Sequence, residues 1–251
     1  MKILILFLLF SGVILNADCK DYKKVFRRCL YLINEKEADT DRLCDTCNNV
    51  LFKTNNLNCE FYCLRKNSWR INLKLNKSQL LIGYAKKYLG KFIFTSNKNY
   101  YQDCSGFIRY IFKKSLKIDL FNIPHKEHRE KGRWINGVAL IYKYVQKNGK
   151  IFKYLPKPGD IIFFDNTSDK NRDGKINDRL THIALIIKVK KDGTIIFIHH
   201  SSEGVNISRM NFYNKKHNSL LRKYRKSDSK NTPHYTYQMF NSFGRLFQEE
   251  K

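Results

Sequence analysis

The chain has 251 residues, of which 42% are hydrophobic and 14% aromatic, and its formal net charge is +26. This composition excludes a wholly disordered chain, and the length suits one domain with a small appendage. The charge favours an anionic partner, although a coding bias towards Lys, Asn, Ile, Phe and Tyr would produce it equally well.

The first 17 residues have the pattern of a secretory signal peptide. Lys2 supplies the positive start, an unbroken apolar run follows directly, and Ala17 offers a small residue for cleavage. The run is shorter than the ~20 apolar residues of a membrane span. We therefore expect export to the periplasm or beyond, where the anionic partners are cell walls and membrane surfaces rather than nucleic acid. Lipidation at Cys19 is the weaker alternative, because Asp18 stands where a small residue is wanted.

Residues 18–72 are rich in cysteine. Six of the seven cysteines of the chain lie before residue 64, and the seventh stands apart at position 104. Six cysteines in a short exported stretch predict a disulfide-bonded module, in which 15 pairings are possible. The pair Cys44 and Cys47 could instead bind metal or exchange electrons, but no matching His or second CxxC follows. We expect a second, larger domain over 73–251.

Helices are predicted to follow this module. The first begins near residue 76, with Ser78 as its N-cap and Gly90 as its stop. The next begins at or near Cys104, because the apolar residues after it repeat at helical spacing. These residues are Phe107, Ile108, Ile111 and Phe112. Residues 134–147 predict a further amphipathic helix.

Strands are predicted after the helices. Following the break at Pro158, the segments IIFFD, THIALIIKV and TIIFIHH read as strands, the last two joined by a tight turn at Asp192-Gly193. A long basic loop over 214–237 precedes a last strand at 243–247. Helices followed by an antiparallel sheet predict an α+β fold.

Cys104 is a candidate nucleophile. A helix N-terminus lowers the pKa of a thiol, because unpaired N–H groups and the helix dipole favour negative charge. A nucleophilic cysteine also needs a base and a group that orients the base. His182 opens the second of the three strands and His199 closes the third. These three residues could also be zinc ligands, but nothing in the local sequence supplies a converging geometry.

Four motifs in this order, DCSGF, PGDIIFF, THIALII and FIHHSS, resemble the NlpC-type family of papain-like cell-wall cysteine peptidases over roughly residues 78–210. The resemblance implies a papain-like fold, with the nucleophile on a helix packed on an antiparallel sheet. It implies a catalytic triad of Cys104, His182 and His199. It also implies that Asp103 and Ser105 contact the amino end of the substrate.

The same resemblance implies an activity. The expected protein is an exported peptidoglycan hydrolase that cleaves a stem-peptide amide, D-glutamyl to a diamino acid, through a cysteine thioester and without a catalytic cofactor. Two alternatives stay open. The chain could be a catalytically idle wall-binding or structural protein of this fold, or it could use the triad as an amidase or acyltransferase.

Strand register tests the third member of the triad. A tight turn would pair residue 186 with His199, which puts His199 on the same face as His182. Four residues of stagger would still separate the two rings by ~13 Å, so a bulge or a longer loop is needed. Without it, Glu203 would lie opposite His182 as the alternative orienting group.

The loop DKNRDGKIND, at 169–178, has the spacing of a calcium-binding loop. Gly174 fills the sixth position, and Leu180 stands where a bidentate Glu is expected at the twelfth, a ligand that Asp178 or a nearby carboxylate could replace. An Asx-rich turn without an ion is the alternative. The candidate ligands are Asp169, Asn171, Asp173, Lys175 through its carbonyl group, and Asn177.

Overall fold

A computed structural model of the chain describes residues 76–247 except 131 and 227, together with the backbone of four earlier strands. The chain divides into two compact units, one up to Gly83 and one from Tyr84 onwards. Apart from those strands, the predicted signal peptide and cysteine-rich module lie outside the described residues and stay predictions. Within the described part of the chain, no helix has the length and apolar character needed to span a bilayer.

The first unit contains a four-stranded antiparallel sheet whose spatial order follows the chain. Each strand pairs with the next, as in the pairing of Leu51 with Tyr62. The strands are β1 (Val13–Ala17), β2 (Val50–Thr54), β3 (Asn58–Cys63) and β4 (Arg70–Lys74).

Helix α1 (Lys77–Lys86) begins one residue before the predicted cap. The side chain of Asn76 accepts a hydrogen bond from the Gln79 N–H at 2.8 Å, and the Gln79 side chain accepts one from the Asn76 N–H at 3.0 Å. This reciprocal pair is a capping box, so Asn76 and not Ser78 is the N-cap. The helix gives way to a turn that ends at Gly90, whose φ of 75° suits a residue without Cβ.

Helix α2 (Cys104–Leu116) confirms the prediction that Cys104 lies at a helix N-terminus. The four apolar residues predicted to line its inner face are all buried. Helix α3 (Gly137–Asn148) begins later than predicted, because the Asn136 side chain caps it by accepting from the Ala139 N–H at 3.0 Å. The intervening segment contains a short 3₁₀ helix (His125–His128) and a two-stranded ribbon, β5 (Arg129–Glu130) and β6 (Arg133–Trp134).

A six-stranded antiparallel sheet forms the centre of the second unit, in the order β11-β10-β9-β8-β12-β7. Three strands were predicted as the segments 161–165, 181–189 and 194–200, and the last strand begins earlier than expected. The strands are β7 (Lys150–Phe152), β8 (Ile161–Phe164), β9 (His182–Val189), β10 (Ile195–Ser201), β11 (Gly204–Met210) and β12 (Phe240–Arg245). The mixed helix and antiparallel-sheet architecture confirms the α+β prediction.

The sheet positions the nucleophile through the helix packed on it. Helix α2 packs on β9 and β10, and α3 packs beside α2 against β7 and β12. The other face of the sheet carries a cluster that includes Phe164, Ala184 and Phe197, covered by residues of the C-terminal segment such as Met239. The predicted loop over 214–237 contains a short 3₁₀ turn (Lys215–His217) and leads into another (Thr236–Gln238).

Asp160, of the PGDIIFF motif, connects the start of β8 to the end of β12. Its carboxylate accepts from Arg245 Nε at 2.7 Å and from Arg245 Nη2 at 2.6 Å. The same carboxylate accepts from the Lys157 N–H at 2.6 Å, which closes the turn before β8. The acid of this motif therefore has a structural role, since it fixes the start of β8 to the end of β12.

Candidate active site

Asp103 caps the helix that carries the candidate nucleophile. Its Oδ1 accepts from the Gly106 N–H at 2.7 Å and from the Ser105 hydroxyl at 2.8 Å. Ser105 is buried, whereas Asp103 is exposed. The two predicted substrate-binding residues are therefore bonded to each other, and the described residues provide no partner for Asp103 Oδ2.

Gly106 is required by the close approach of the preceding loop. A Cβ at this position would collide with the carbonyl oxygen of Tyr101. The glycine of the DCSGF motif thus lets the loop before α2 lie against the first turn of the helix, which holds Cys104 at the helix start.

Cys104 is half-buried and is not in a disulfide. Burial, followed by the negative charge of Asp103, raises the pKa of its thiol to about 12. The N–H groups of Ile183 and Ser105 and the charge of Lys170 lower this pKa, but by less. Burial and the charge of Asp103 therefore oppose the effect predicted for the helix N-terminus on this thiol.

His182 and His199 form a hydrogen-bonded pair. His182 Nε2 lies 2.8 Å from His199 Nδ1, and the rings are nearly perpendicular with centroids 4.9 Å apart. His199 is buried, and His182 is partly so. Burial is the main cause that lowers the pKa of His199 to about 4 and holds the pKa of His182 well below its usual range. Both rings are therefore neutral at neutral pH.

A longer loop and a bulge together bring the two rings into contact. The loop closes at Lys190 and Thr194, one residue earlier on β9 than predicted, and Val189 pairs with Ile195. The ladder then shifts between Ile196 and Phe197, so that Phe197 pairs with Ile186. Continuing this register places His199 opposite residue 184, two residues from His182 on the same face, where diagonal side chains meet.

The alternative orienting group lies elsewhere. Glu203 is exposed in the turn between β10 and β11 and forms an ion pair with Lys223 at 3.1 Å. His200 points away from the histidine pair, as predicted, and its Nε2 lies 2.7 Å from the carbonyl oxygen of Phe92. The unbulged register that favoured Glu203 is therefore wrong.

The Cys104 sulfur lies at the start of β9. The backbone N–H of Ile183, the residue after His182, hydrogen-bonds with this sulfur and so lowers the pKa of the thiol. The pairing of β9 with β10 ends at Leu185 and Ile198, so this end of β9 is not paired with β10. Among the described residues the thiol makes no hydrogen bond to either ring, and His182 Nδ1 has no partner.

A cleft of about 780 Å³ adjoins the nucleophile on the side of Asp103. Asp103 and Ser105 line it, together with Arg109, His128 and Trp134. Arg109 is held by Asp119 through two hydrogen bonds of 2.7 and 3.0 Å. The cleft therefore presents one carboxylate oxygen without a partner, a guanidinium group whose charge is balanced by Asp119, and an exposed aromatic ring.

The predicted calcium loop is folded by its own hydrogen bonds. Gly174 donates to Asp169 Oδ2 at 3.0 Å, while Asp173 accepts from the Lys175 N–H and from the Asn177 side chain, both at 2.8 Å. Asp169 Oδ1 is buried without a hydrogen-bond partner. The donor set of two carboxylates, amide oxygens and a carbonyl suits a hard cation.

The described residues hold no group of three His, Cys, Asp or Glu side chains arranged for a metal. This finding leaves the zinc interpretation of the cysteine and the two histidines without support. The loop 169–178 supplies only two candidate carboxylate ligands, Asp169 and Asp173, fewer than the three side chains of such a group. Calcium binding there stays a prediction.

Sequence reasoning missed one polar side chain at the histidine pair. Ser208, on β11, places its hydroxyl oxygen 3.0 Å from His199 Nε2. The segment GVNISRM carries the signal that could have revealed it, because its residues from Val205 to Ser208 alternate between apolar and polar. The aromatic wall of the cleft at Trp134 was missed as well, since it was assigned to a helix.

The family model of the NlpC/P60 family matches residues 90–223, a range that includes Cys104, His182 and His199. Neither a search of curated proteins nor a search of solved structures found a match. The family match covers more than half of the chain and confirms the resemblance carried by the four motifs. The chain therefore belongs to the NlpC/P60 family.

Proposed function

We propose that the chain is an exported cysteine peptidase that hydrolyses a stem-peptide amide of peptidoglycan, the bond from D-glutamate to the diamino acid. Proteins of the NlpC/P60 family are generally cysteine peptidases that act on peptidoglycan, which supports a cell-wall hydrolase. The single observation that carries the proposal is the His182–His199 hydrogen bond of 2.8 Å beside the strand end where the Cys104 sulfur lies.

Acylation begins from a neutral pair. The Cys104 thiol is protonated and His182 is neutral in the resting site, so the sulfur attacks the carbonyl carbon as His182 Nδ1 takes the thiol proton. The N–H of Cys104, which has no acceptor among the described residues, donates to the developing oxyanion. The C–N bond then breaks, His182 returns the proton to the leaving amine, and a thioester remains on Cys104.

Deacylation uses the same base. His182 Nδ1 takes a proton from water, and the resulting hydroxide attacks the thioester carbonyl carbon. The C–S bond breaks, the thiolate regains its proton from His182, and the product leaves as a carboxylic acid that then loses its proton to solvent. His199 keeps the imidazole ring of His182 in one orientation during both half-reactions.

Asp103 gives the substrate its direction. One oxygen of this carboxylate is engaged by Ser105 and Gly106, and the other is without a partner in the described structure. A free oxygen in a cleft next to the nucleophile suits the ammonium group at the amino end of a stem peptide. Ser105 then acts through Asp103 and does not contact the substrate itself.

Digestion of purified peptidoglycan, analysed by mass spectrometry, tests the proposal. The wild type should release fragments with a new amino group on the diamino acid and a new carboxyl group on D-glutamate. Cys104→Ala should abolish release without lowering the melting temperature, and His182→Ala should do nearly the same. His199→Ala should cost about 10- to 100-fold, because it orients the base and does not transfer the proton.

Glu203→Ala is the matched control, since Glu203 is exposed and lies apart from the pair. It should keep wild-type activity. Intact stem peptides freed from the glycan would instead identify an amidase, and no release by the wild type would identify a binding protein. Full activity of Cys104→Ala would refute the peptidase mechanism.

A further inference from the structure

The hydrogen bond between the two histidines continues to a third group. His199 Nδ1 faces His182, and His199 Nε2 lies 3.0 Å from the Ser208 hydroxyl oxygen. The register of β10 with β11 pairs Phe197 with Ser208, so Ser208 is a diagonal neighbour of His199 on the same face. Within the described part of the chain, His199 Nε2 has no other partner.

Two neutral histidines in such a chain allow two proton arrangements. In the first, His182 Nε2–H donates to His199 Nδ1, and His199 Nε2–H donates to Ser208. In the second, Ser208 donates to His199 Nε2, His199 Nδ1–H donates to His182 Nε2, and His182 carries its proton on Nδ1. Each arrangement satisfies both hydrogen bonds of this chain of groups, because a hydroxyl group can donate or accept.

The two arrangements differ in chemistry at the far end of the chain. The first leaves a lone pair on His182 Nδ1, which is the atom without a partner. The second puts a proton on that atom, so it cannot take a proton from a thiol. A histidine works as a base here when the group behind it selects the tautomer, as in triads where a carboxylate has that task.

We propose that Ser208 is a positioning residue that selects the active tautomer of His182 by accepting the Nε2–H of His199. The inference rests on the proposed cysteine-peptidase function for its consequence in catalysis, but the tautomer itself is a property of the resting protein. His199 is 2% exposed, so its Nε2–H depends on a protein acceptor. A neutral acceptor also leaves His199 uncharged, whereas a carboxylate would draw a second proton onto it.

Removal of the hydroxyl group should favour the inactive arrangement. Without Ser208, the first arrangement leaves the Nε2–H of His199 without an acceptor, and the second leaves the Nδ1–H of His182 without one. His199 is 2% exposed whereas His182 is only partly buried, so the orphaned N–H on His199 is the more costly of the two. The cost of an unpaired buried group corresponds to a loss of about 10- to 100-fold in the population of the active tautomer, and so in kcat.

The test combines a spectroscopic and a kinetic measurement on the full chain. Nitrogen-15 NMR of histidine-labelled wild type at neutral pH should show His182 protonated on Nε2. Ser208→Ala should move the proton to Nδ1 and lower kcat about 10- to 100-fold with little change in KM, whereas Ser208→Thr, which keeps the hydroxyl group, should restore both. In a His199→Ala background, Ser208→Ala should have no further effect.

The spectroscopic result separates this inference from the proposed function. Wild-type His182 protonated on Nδ1, or a Ser208→Ala variant with an unchanged His182 tautomer or wild-type kcat, would overturn the role of Ser208. If the tautomer responds as expected but no amide is cleaved by the wild type, the proposed function fails and the role of Ser208 in the resting site stands. Matching melting temperatures of the three proteins exclude a folding defect, and the wild-type spectrum decides the case if Ser208→Ala does not fold.

Discussion

Asp103 has opposing effects on the residue that follows it. Its carboxylate caps α2 and so fixes Cys104 at the helix start, yet its charge raises the pKa of the thiol. Burial raises this pKa further and is the larger cause. The resting site is therefore a neutral thiol beside neutral imidazoles, and reaction with substrate must supply the driving force for proton transfer.

The two roles of Asp103 can be separated by substitution. Asp103→Asn keeps an oxygen that can accept from the Gly106 N–H but removes the charge, so the pKa of the Cys104 thiol should fall. Alkylation of Cys104 by iodoacetamide should then be faster at neutral pH than in the wild type, whose rate should keep rising with pH beyond the range usual for cysteine. Unfolding experiments should show little loss of stability for Asp103→Asn.

Asp103→Ala is the matched control for the cap. It removes both charge and cap, so it should accelerate alkylation as well but cost about 1 kcal/mol of stability. A slower alkylation of Asp103→Asn would contradict the assigned direction of the charge effect. Both variants should raise KM for stem peptides if the free carboxylate oxygen binds the substrate ammonium group.

At the residue scale the sequence predicted the contact between His182 and His199 but not the protonation of the site. DCSGF and the two strand-end histidines identified Cys104, His182 and His199, because motif order and strand parity are readable in a sequence. The direction of the thiol pKa depends on burial, which exists only after β9 and β10 pack against α2. Ser208 was missed for a similar reason, since its partner lies across a strand pairing that no local pattern specifies.

At the element scale, predictability followed the strength of the local pattern. Strands β8, β9 and β10 were predicted because they are apolar runs buried on both faces of the sheet. Strand β11 was missed because its middle residues are half-exposed, and β7 because its three residues are stabilised by pairing with β12. The register shift between Ile196 and Phe197 depends on packing, so the sequence could show that a bulge was needed but not its position.

The loop 169–178 is predicted from its sequence to bind calcium, and a thermal melt can test this. Hydrogen bonds from Asn177 and Lys175 hold the pKa of Asp173 below its usual range, so this carboxylate is ionised at neutral pH. Calcium should raise the melting temperature of the full chain and a chelator should lower it, by a few degrees when the ion is well above its Kd. The measurement is a thermal melt with and without calcium.

Two variants make the calcium test specific. Asp173→Asn removes a ligand charge while keeping the oxygen that accepts from Lys175, so it should abolish most of the calcium response with little effect on the calcium-free melt. Asp192→Asn is the control outside the loop, since Asp192 lies in the turn between β9 and β10, and it should respond like the wild type. A wild type indifferent to both calcium and chelator would leave the loop as an Asx-rich turn.

The ion pair between Asp160 and Arg245 shows how a motif residue can be structural. The Asp160 side chain is 4% exposed and receives two hydrogen bonds from the guanidinium group. Arg245→Met would leave this carboxylate buried and unpaired, so we expect a loss of about 3–5 kcal/mol of stability. In a domain of this size the melting temperature should fall by ~10 °C.

A double substitution distinguishes charge burial from lost packing. Asp160→Leu combined with Arg245→Met removes both charges, and it should recover much of the stability lost by Arg245→Met alone. Arg245→Lys, which keeps the charge but not the two-point contact, should lie between the wild type and Arg245→Met. An unchanged melting temperature for Arg245→Met would show that the pair does not hold β8 to β12.

At the scale of the whole molecule, charge is the feature that fold and motif do not explain. Forty-eight Lys and Arg residues face 22 Asp and Glu residues. Several basic side chains of the C-terminal segment, such as Lys215, Lys216 and Lys230, are exposed. A basic surface of this kind would concentrate the protein on an anionic wall, whereas a coding bias would leave the charge without a function.

Salt dependence of wall binding separates these two explanations. The Cys104→Ala chain, which should bind without cleaving, is pelleted with purified peptidoglycan at ~0.05 M and ~0.5 M salt. If charge holds the protein on the wall, the bound fraction should fall steeply, because the Debye length shortens from ~14 to ~4 Å over this range.

Replacement of Lys215, Lys216 and Lys230 by Gln should weaken binding at low salt and reduce the salt response, while activity on a soluble stem peptide stays unchanged. Chitin, an uncharged glycan, is the matched surface and should retain little protein at either salt concentration. Binding to peptidoglycan that is equally strong at both concentrations would assign recognition to the cleft beside Asp103 and leave the net charge to coding bias.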